Sequence, residues 1–236
     1  MKNRLWGVAI LGVSFIIGAI IFGIFFYQSR QTPKTIKVVG MATQRFDSDV
    51  IKWRVTLSRT VGLNDMKKGY DRIKDDLNGF IAFLKDNGID QKSLTIQPVN
   101  TNPIYGPSNG VTGYNIQQNL YVVATDVTTL EKLALEPSAL VEKGIYLQSS
   151  NLEYYYSKLG TLKRNLLAAA TSDAKKRAVE IGKSTGDRVD KIVLAYSGVF
   201  QITEPYSTEV MDYGVYNTSG RKKDITVTVN AIFSVK

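Results

Sequence analysis

Between Leu5 and Tyr27 the chain runs for 23 residues without one Asp, Glu, Lys or Arg. At about 1.5 Å per helical residue such a run spans roughly 35 Å, enough to cross a hydrocarbon core of about 30 Å. A cleaved secretory signal has an apolar region of only about 7–15 residues, followed by small residues at the cut. Here the run ends in Phe25-Phe26-Tyr27-Gln28-Ser29-Arg30, with nothing like A-x-A. Aromatic residues mark both ends, Trp6 on one side and Phe25, Phe26 and Tyr27 on the other, as at the two interfaces of a bilayer. The sequence therefore predicts a retained transmembrane anchor over 5–27, a linker to residue 34, and a further domain over 35–236; the lipid bilayer is its first partner. The flanking cations, Lys2 and Arg4 against Arg30, Lys34 and Lys37, leave the positive-inside rule nearly balanced. Within the run, Ser14 with Gly18 and Ala19 with Gly23 form two small-xxx-small pairs that let a second helix approach closely.

Charge and residue usage narrow the function of the remainder. Residues 1–34 carry four bases and no acid, so they hold +4 of the net +9. The other 26 basic and 21 acidic side chains make residues 35–236 only mildly basic, which argues against a nucleic-acid partner. The chain has no cysteine, so disulfides, thiol nucleophiles and cysteine-ligated zinc are out. It has no histidine, the commonest general base and transition-metal ligand. These two absences predict a non-enzyme with no cofactor.

The pattern along 35–236 alternates strands and amphipathic helices. "IKVVGMA" reads as a strand. In "DVIKWRVTLSRTV", Ile51, Trp53, Val55 and Leu57 share one face and Lys52, Arg54, Thr56 and Ser58 the other, the mark of a half-buried antiparallel strand. A helix follows from an Asn64 N-cap to about Asn87, with apolar residues from Met66 to Leu84 at three- and four-residue spacing and Gly88 as its stop. "SLTIQPV" and "YNIQQNLYVVAT" are strands. A second helix starts at Asp126 or Thr128, ends before Gly144 and is kinked or split by Pro137. "IYLQSSNLEYYY" is a strand. The third helix, about Lys158 to Thr185, places Leu159, Leu162, Leu166, Ala170, Ala174, Ala178 and Ile181 on one stripe. "VDKIVLAYSGVF" and "DITVTVNAIFSV" close the chain as strands. The order implies an α+β fold of antiparallel sheets covered by helices, in β-α-β-β units, preceded by one N-terminal transmembrane helix.

Motifs with chemistry are few. "GKST" (Gly182–Thr185) lacks the P-loop's upstream glycine, since position 177 is Arg, and it closes a helix instead of opening one. Asp47 and Asp49 in "FDSD" could serve as an acid–base pair, but a polar turn into the next strand is the simpler reading. "LEYYYSK" offers stacking rings, though tyrosine also favours strands. "DAKKRAVE" reads as a solvated helix face. The stretch Gln201–Lys223 has neither helical nor strand period over 23 residues and carries Tyr206, Met211, Tyr213 and Tyr216, residue types enriched at interfaces. These four are the candidate contacts for an oligomer or partner, and Ser14, Gly18, Ala19 and Gly23 the candidate packing face of the anchor. No catalytic, cofactor or metal residue is identified.

Taken together, "IKVVGMATQRFDSDVIKWRVTLS", "TGYNIQQNLYVVATDVTTLEKL", "AAATSDAKKRAVEIGKSTGDRVDKI" and the terminal "DITVTVNAIFSV" resemble the SIMPL domain family of bacterial envelope proteins. The most specific pieces are Thr112-Gly113-Tyr114, Asp126-Val127, and Asp173, Ala174 and Ala178 with Gly186. Ser48 departs from the proline common before the aspartate matched by Asp49, and an anchor replaces the cleaved signal of many members. The resemblance implies an extracytoplasmic domain on the inner membrane with a cytoplasmic N-terminus. It implies an α+β fold, a homo-oligomer, and a link to oxidative or envelope stress; it supplies no catalytic residue. The leading expectation is a self-associating envelope scaffold. The alternatives are a binding module using the loops around Tyr105 and Tyr213, and a pore-like assembly.

Overall fold

The computed structural model describes residues 2–30 and 34–236, with side chains in the first helix from Gly12 onward. Helix α1 spans Lys2–Arg30. Its stretch Gly12–Arg30 is the one helix among the described residues long and apolar enough to cross a membrane. A Cβ added at Gly18 or Gly23 would meet nothing within 4 Å, and Ser14 and Ala19 are exposed beside them, so the small-residue face lies open. The side chains of Lys2, Arg4 and Trp6, and linker residues 32–33, lie outside the described residues.

The chain divides into two compact units: residues 1–40, 171–196 and 229–236, and residues 41–170 and 197–228. In the larger unit β2 (Val50–Gly62), β3 (Leu94–Tyr105), β4 (Val111–Ala124) and β5 (Leu147–Tyr155) form a four-stranded sheet of order β3-β4-β2-β5, antiparallel throughout. Helix α2 (Met66–Asp86) lies between β2 and β3 in a β-α-β-β unit, and β5 joins the same sheet at its other edge. Pro137 divides α3 (Val127–Leu135) from α4 (Ser138–Glu142), as its ring requires.

The alternation of β2 decides which face is buried. Ile51, Trp53, Val55 and Leu57 meet Phe80, Phe83 and Leu84 of α2, Leu130 of α3 and Ile116, Leu120 and Val122 of β4 in one core. Each such side chain contributes about 1.5–3 kcal/mol on burial. The Trp53 ring lies 5.4 Å from Phe80, and its indole N–H donates to Ser150 Oγ at 2.8 Å, so no polar atom of the ring is orphaned. On this same face Arg59 forms a two-pronged bond to buried Asp76 at 2.6 Å on each arm and donates to the Gly144 carbonyl at 2.9 Å.

Some boundaries differ from the periodicity. The N-cap position of α2 belongs to Asp65, with no side-chain cap bond, and Asn64 lies in the preceding turn. The stripe of α5 (Leu159–Thr185) buries Leu162, Leu166, Ala170, Ala174 and Ala178, but Ile181 is exposed and Gly182 takes the next buried position. A Cβ there would stand 2.8 Å from the Asp187 carbonyl, so only glycine fits. The segment Val189–Phe200 holds one strand, β6 (Val189–Ser197), and ends in a three-residue break before β7 (Gln201–Thr203). The stretch Gln201–Lys223, aperiodic in sequence, contains β7, β8 (Val215–Tyr216) and the start of β9 (Lys222–Val235).

The second sheet has the order β1-β9-β7-β8, with β1 at Thr35–Asp47 and β6 also pairing with β9. In the smaller unit, β6 and β9 are joined at their ends by reciprocal Arg188–Lys236 backbone bonds of 2.9 Å. Every β6 residue after Val189 is exposed. In the larger unit β7 runs antiparallel to β9 and parallel to β8.

The family-specific residues have structural reasons. Gly113 lies opposite Gly62, and a Cβ on it would stand 2.5 Å from the Val61 carbonyl, so Thr112-Gly113-Tyr114 marks where β4 closes on β2. Asp126 caps α3 by accepting from the Thr129 N–H and hydroxyl, which hold its carboxyl below the usual range. Gly88 and Gly186 end α2 and α5 at φ of +78° and +79°.

Candidate functional site

The face of the four-stranded sheet turned away from α2 and α3 is built from the polar half of each strand's alternation. Cross-strand register sets Lys52 against Glu153, Arg54 between Tyr121 and Asn151, and Thr56 between Asn119 and Ser149. The Ser149 hydroxyl donates to Thr56 Oγ1 and the Thr56 hydroxyl to Asn119 Oδ1, both at 2.8 Å. One end of the face carries a charge cluster. Arg54 Nη1 donates to Glu153 Oε1 at 2.8 Å, the Tyr155 hydroxyl donates to Oε2 at 2.8 Å, and Lys52 Nζ stands 3.7 Å from Oε2. Burial works against the Glu153 charge, but the Arg54 and Tyr155 bonds and the two nearby cations outweigh it and hold the carboxyl below its ordinary range. Burial, then the bond to Glu153, pushes the Tyr155 hydroxyl up to about 12. Lys52 and Arg54 also lie 4.8 and 5.5 Å from the Tyr121 ring centre.

A wall borders this face along the outer edge of β5. The segment after β8 is pinned by the Tyr154 N–H donating to the Thr218 carbonyl at 2.8 Å and the Asn217 N–H donating to the Ile202 carbonyl at 2.9 Å. Asn217 Oδ1 accepts from the Ser219 N–H at 2.8 Å, and Tyr216 packs edge-on against Tyr155. Thr218 and Ser219 are thereby held beside Arg54, Asn119, Asn151 and Glu153, enclosing a cleft of about 410 Å³.

The sequence-predicted contact residues separate. Tyr216 belongs to the base of this wall. Tyr206, at φ +64°, lies under the Arg45 guanidinium, 4.5 Å from its ring centre, and accepts from Arg45 Nη1 at 3.2 Å. Tyr206 is nonetheless 87% exposed. Gln201 grips the Met211 backbone on both sides, through the carbonyl at 2.7 Å and the N–H at 3.4 Å. The tip is therefore tied at its base while Val210, Met211 and Tyr213 project, Tyr213 at 99% exposure.

Other motifs resolve into structure. Asp49 accepts from the Ser157 N–H at 2.7 Å and hydroxyl at 2.6 Å, fixing the chain ahead of α5. The "LEYYYSK" rings part: Tyr154 is buried, Tyr155 bonds to Glu153 and packs on Tyr216, and Tyr156 packs 5.0 Å from Phe46. "GKST" ends α5. Tyr105 is exposed at the end of β3 and does not line the cleft. Among the described residues no group of three or more Asp or Glu could hold a metal. Sequence reasoning missed the cleft. Its signal was present in the polar half of β2 and in the amides of "YNIQQN" and "SSN", but only the register brings them together.

Residues 36–233 match the SIMPL family, described as a protein of unknown function (DUF541). No curated protein matches the chain.

Proposed function

We propose that this chain, which belongs to the SIMPL family, is a single-pass inner-membrane protein whose extracytoplasmic, non-catalytic domain self-associates into an envelope scaffold linked to oxidative or envelope stress protection. The N-terminus is cytoplasmic in this reading. The apolar helix α1 and the family membership support the anchored, extracytoplasmic arrangement. A non-catalytic role is supported by the lack of histidine and cysteine and by the engagement of Asp49 in a structural bond.

Self-association rests chiefly on β6. This nine-residue strand pairs only with β9 among the described residues, so its other edge presents free N–H and C=O groups. It carries Ile192, Val193, Leu194 and Tyr196 at 40–62% exposure. Soluble proteins blunt such edges with lysine, proline or bulges; here Asp190 and Lys191 sit at one end, Ser197 closes the other, and Ile192–Tyr196 between them is apolar. A second strand covering this edge satisfies both the backbone and the side chains. The exposed tip at Val210, Met211 and Tyr213 is an additional contact, and the open face of Ser14, Gly18, Ala19 and Gly23 lets anchors pack within the bilayer. Val193→Lys or Leu194→Lys is expected to lower the native mass while Trp53 fluorescence reports an intact core; unchanged mass in both variants would remove β6 from the interface.

A further inference from the structure

We propose that the cleft lined by Thr218 and Ser219 binds an uncharged saccharide. This goes beyond the scaffold reading and does not depend on it.

Several polar side chains of the cleft have no partner among the described residues. Asn151 has no side-chain hydrogen bond among the described residues, and Asn119 uses only its Oδ1, for Thr56, leaving both N–H groups free. The hydroxyls of Thr218 and Ser219 are likewise uncommitted, and Arg54 spends one terminal nitrogen on Glu153. Amides, hydroxyls and a partly committed guanidinium are mixed donors and acceptors, the complement of a ring bearing several hydroxyl groups.

Charge selects against the main rival ligand, an anion. Arg54 is held by Glu153, so a phosphate or carboxylate reaching for the guanidinium would face that carboxylate at once. Lys52 is drawn to the same acid. The cleft of about 410 Å³ falls in the usual range for small-ligand sites, about 300–1,000 Å³. Its lining departs from the apolar lining typical of such sites, as a polyol requires. The walls are also pre-set: the strands are locked by register and the lip by the bonds from Tyr154 and Asn217, so little ordering is needed on binding.

The test uses the full chain in lipid nanodiscs, since glycoside detergents would compete. The N-acetylglucosamine trimer and maltotriose are titrated separately by saturation-transfer NMR and calorimetry, with inorganic phosphate as the anionic probe. Saturable binding of either saccharide is expected, weakened at least tenfold in both Asn151→Leu and Asn119→Leu, and unchanged in Lys67→Ala on the exposed side of α2. Trp53 emission confirms that each variant is folded. Native mass is recorded on the same samples, so failure of the saccharide site is distinguishable from failure of assembly. Absence of saturable binding by both saccharides overturns the proposal. So does saccharide binding that survives in both asparagine variants, or binding of phosphate alone.

Discussion

Replacing Lys223 by methionine is expected to stabilise the protein near neutral pH and to lose that advantage in alkali. Lys223 lies at the start of β9 with 1% of its surface exposed, and its ammonium donates to the Gly220 carbonyl. No carboxylate pairs with it among the described residues. Burial therefore pushes its pKa down from the ordinary 10.5 to about 8. At about 1.36 kcal/mol per unit, burying the charged form costs roughly 3 kcal/mol; the position at a strand end, close to solvent, makes this an upper figure. Below pH 8 both the folded and the unfolded chain carry the proton, and the folded state bears the whole cost. Between about 8 and 10.5 the unfolded chain binds more protons than the folded one, so stability rises with pH. Lys223→Met removes the cost but orphans the Gly220 carbonyl, worth about 1 kcal/mol. The net gain at pH 7 is then about 2 kcal/mol, or roughly 4–8 °C in Tm for a domain of this size. Guanidinium unfolding followed by the buried Trp53, run on both proteins from pH 7 to 10, measures it. The gap should shrink steadily and change sign near the top of that range. A gain independent of pH, or a loss already present at pH 7, would mean that Lys223 carries no buried-charge cost.

Arg59→Met strands the buried carboxylate of Asp76 and is expected to cost about 3–5 kcal/mol, whereas Arg59→Met with Asp76→Leu should recover most of that in the same unfolding assay. Ser48→Ala removes a buried hydroxyl that has no hydrogen-bond partner among the described residues and is expected to stabilise by about 1 kcal/mol, read as a rise in the denaturant midpoint at unchanged slope. Gly113→Ala sets a Cβ against the backbone carbonyl of Val61, so β4 must draw back from β2; a loss of about 1–3 kcal/mol is expected, with faster amide exchange along both strands.

The elements that were legible in sequence carry their cause locally. The 23-residue uncharged run gives α1, strict alternation gives β2 and β9, Pro137 splits the second helix, and Gly88 and Gly186 end theirs at positive φ. Features decided by distant neighbours were not legible. Asp76 interrupts the apolar face of α2, and only Arg59, 17 residues earlier on β2, accounts for it. Ile181 continues the stripe of α5 but faces water, while Gly182 is buried because the chain doubles back at Asp187. The apolar run of β6 reads as an ordinary buried strand, and nothing in it says that its outer edge is uncovered. The cleft needs three strands in register and a lip more than 60 residues beyond the last of them, a juxtaposition set by topology.

Assembly of the domain is read from the native mass of the 236-residue chain in a mild detergent, by light scattering with the detergent contribution subtracted. A self-associating domain gives a multiple of 26.2 kDa that persists at micromolar concentration and falls in Val193→Lys. A single 26.2 kDa species across that range would contradict it.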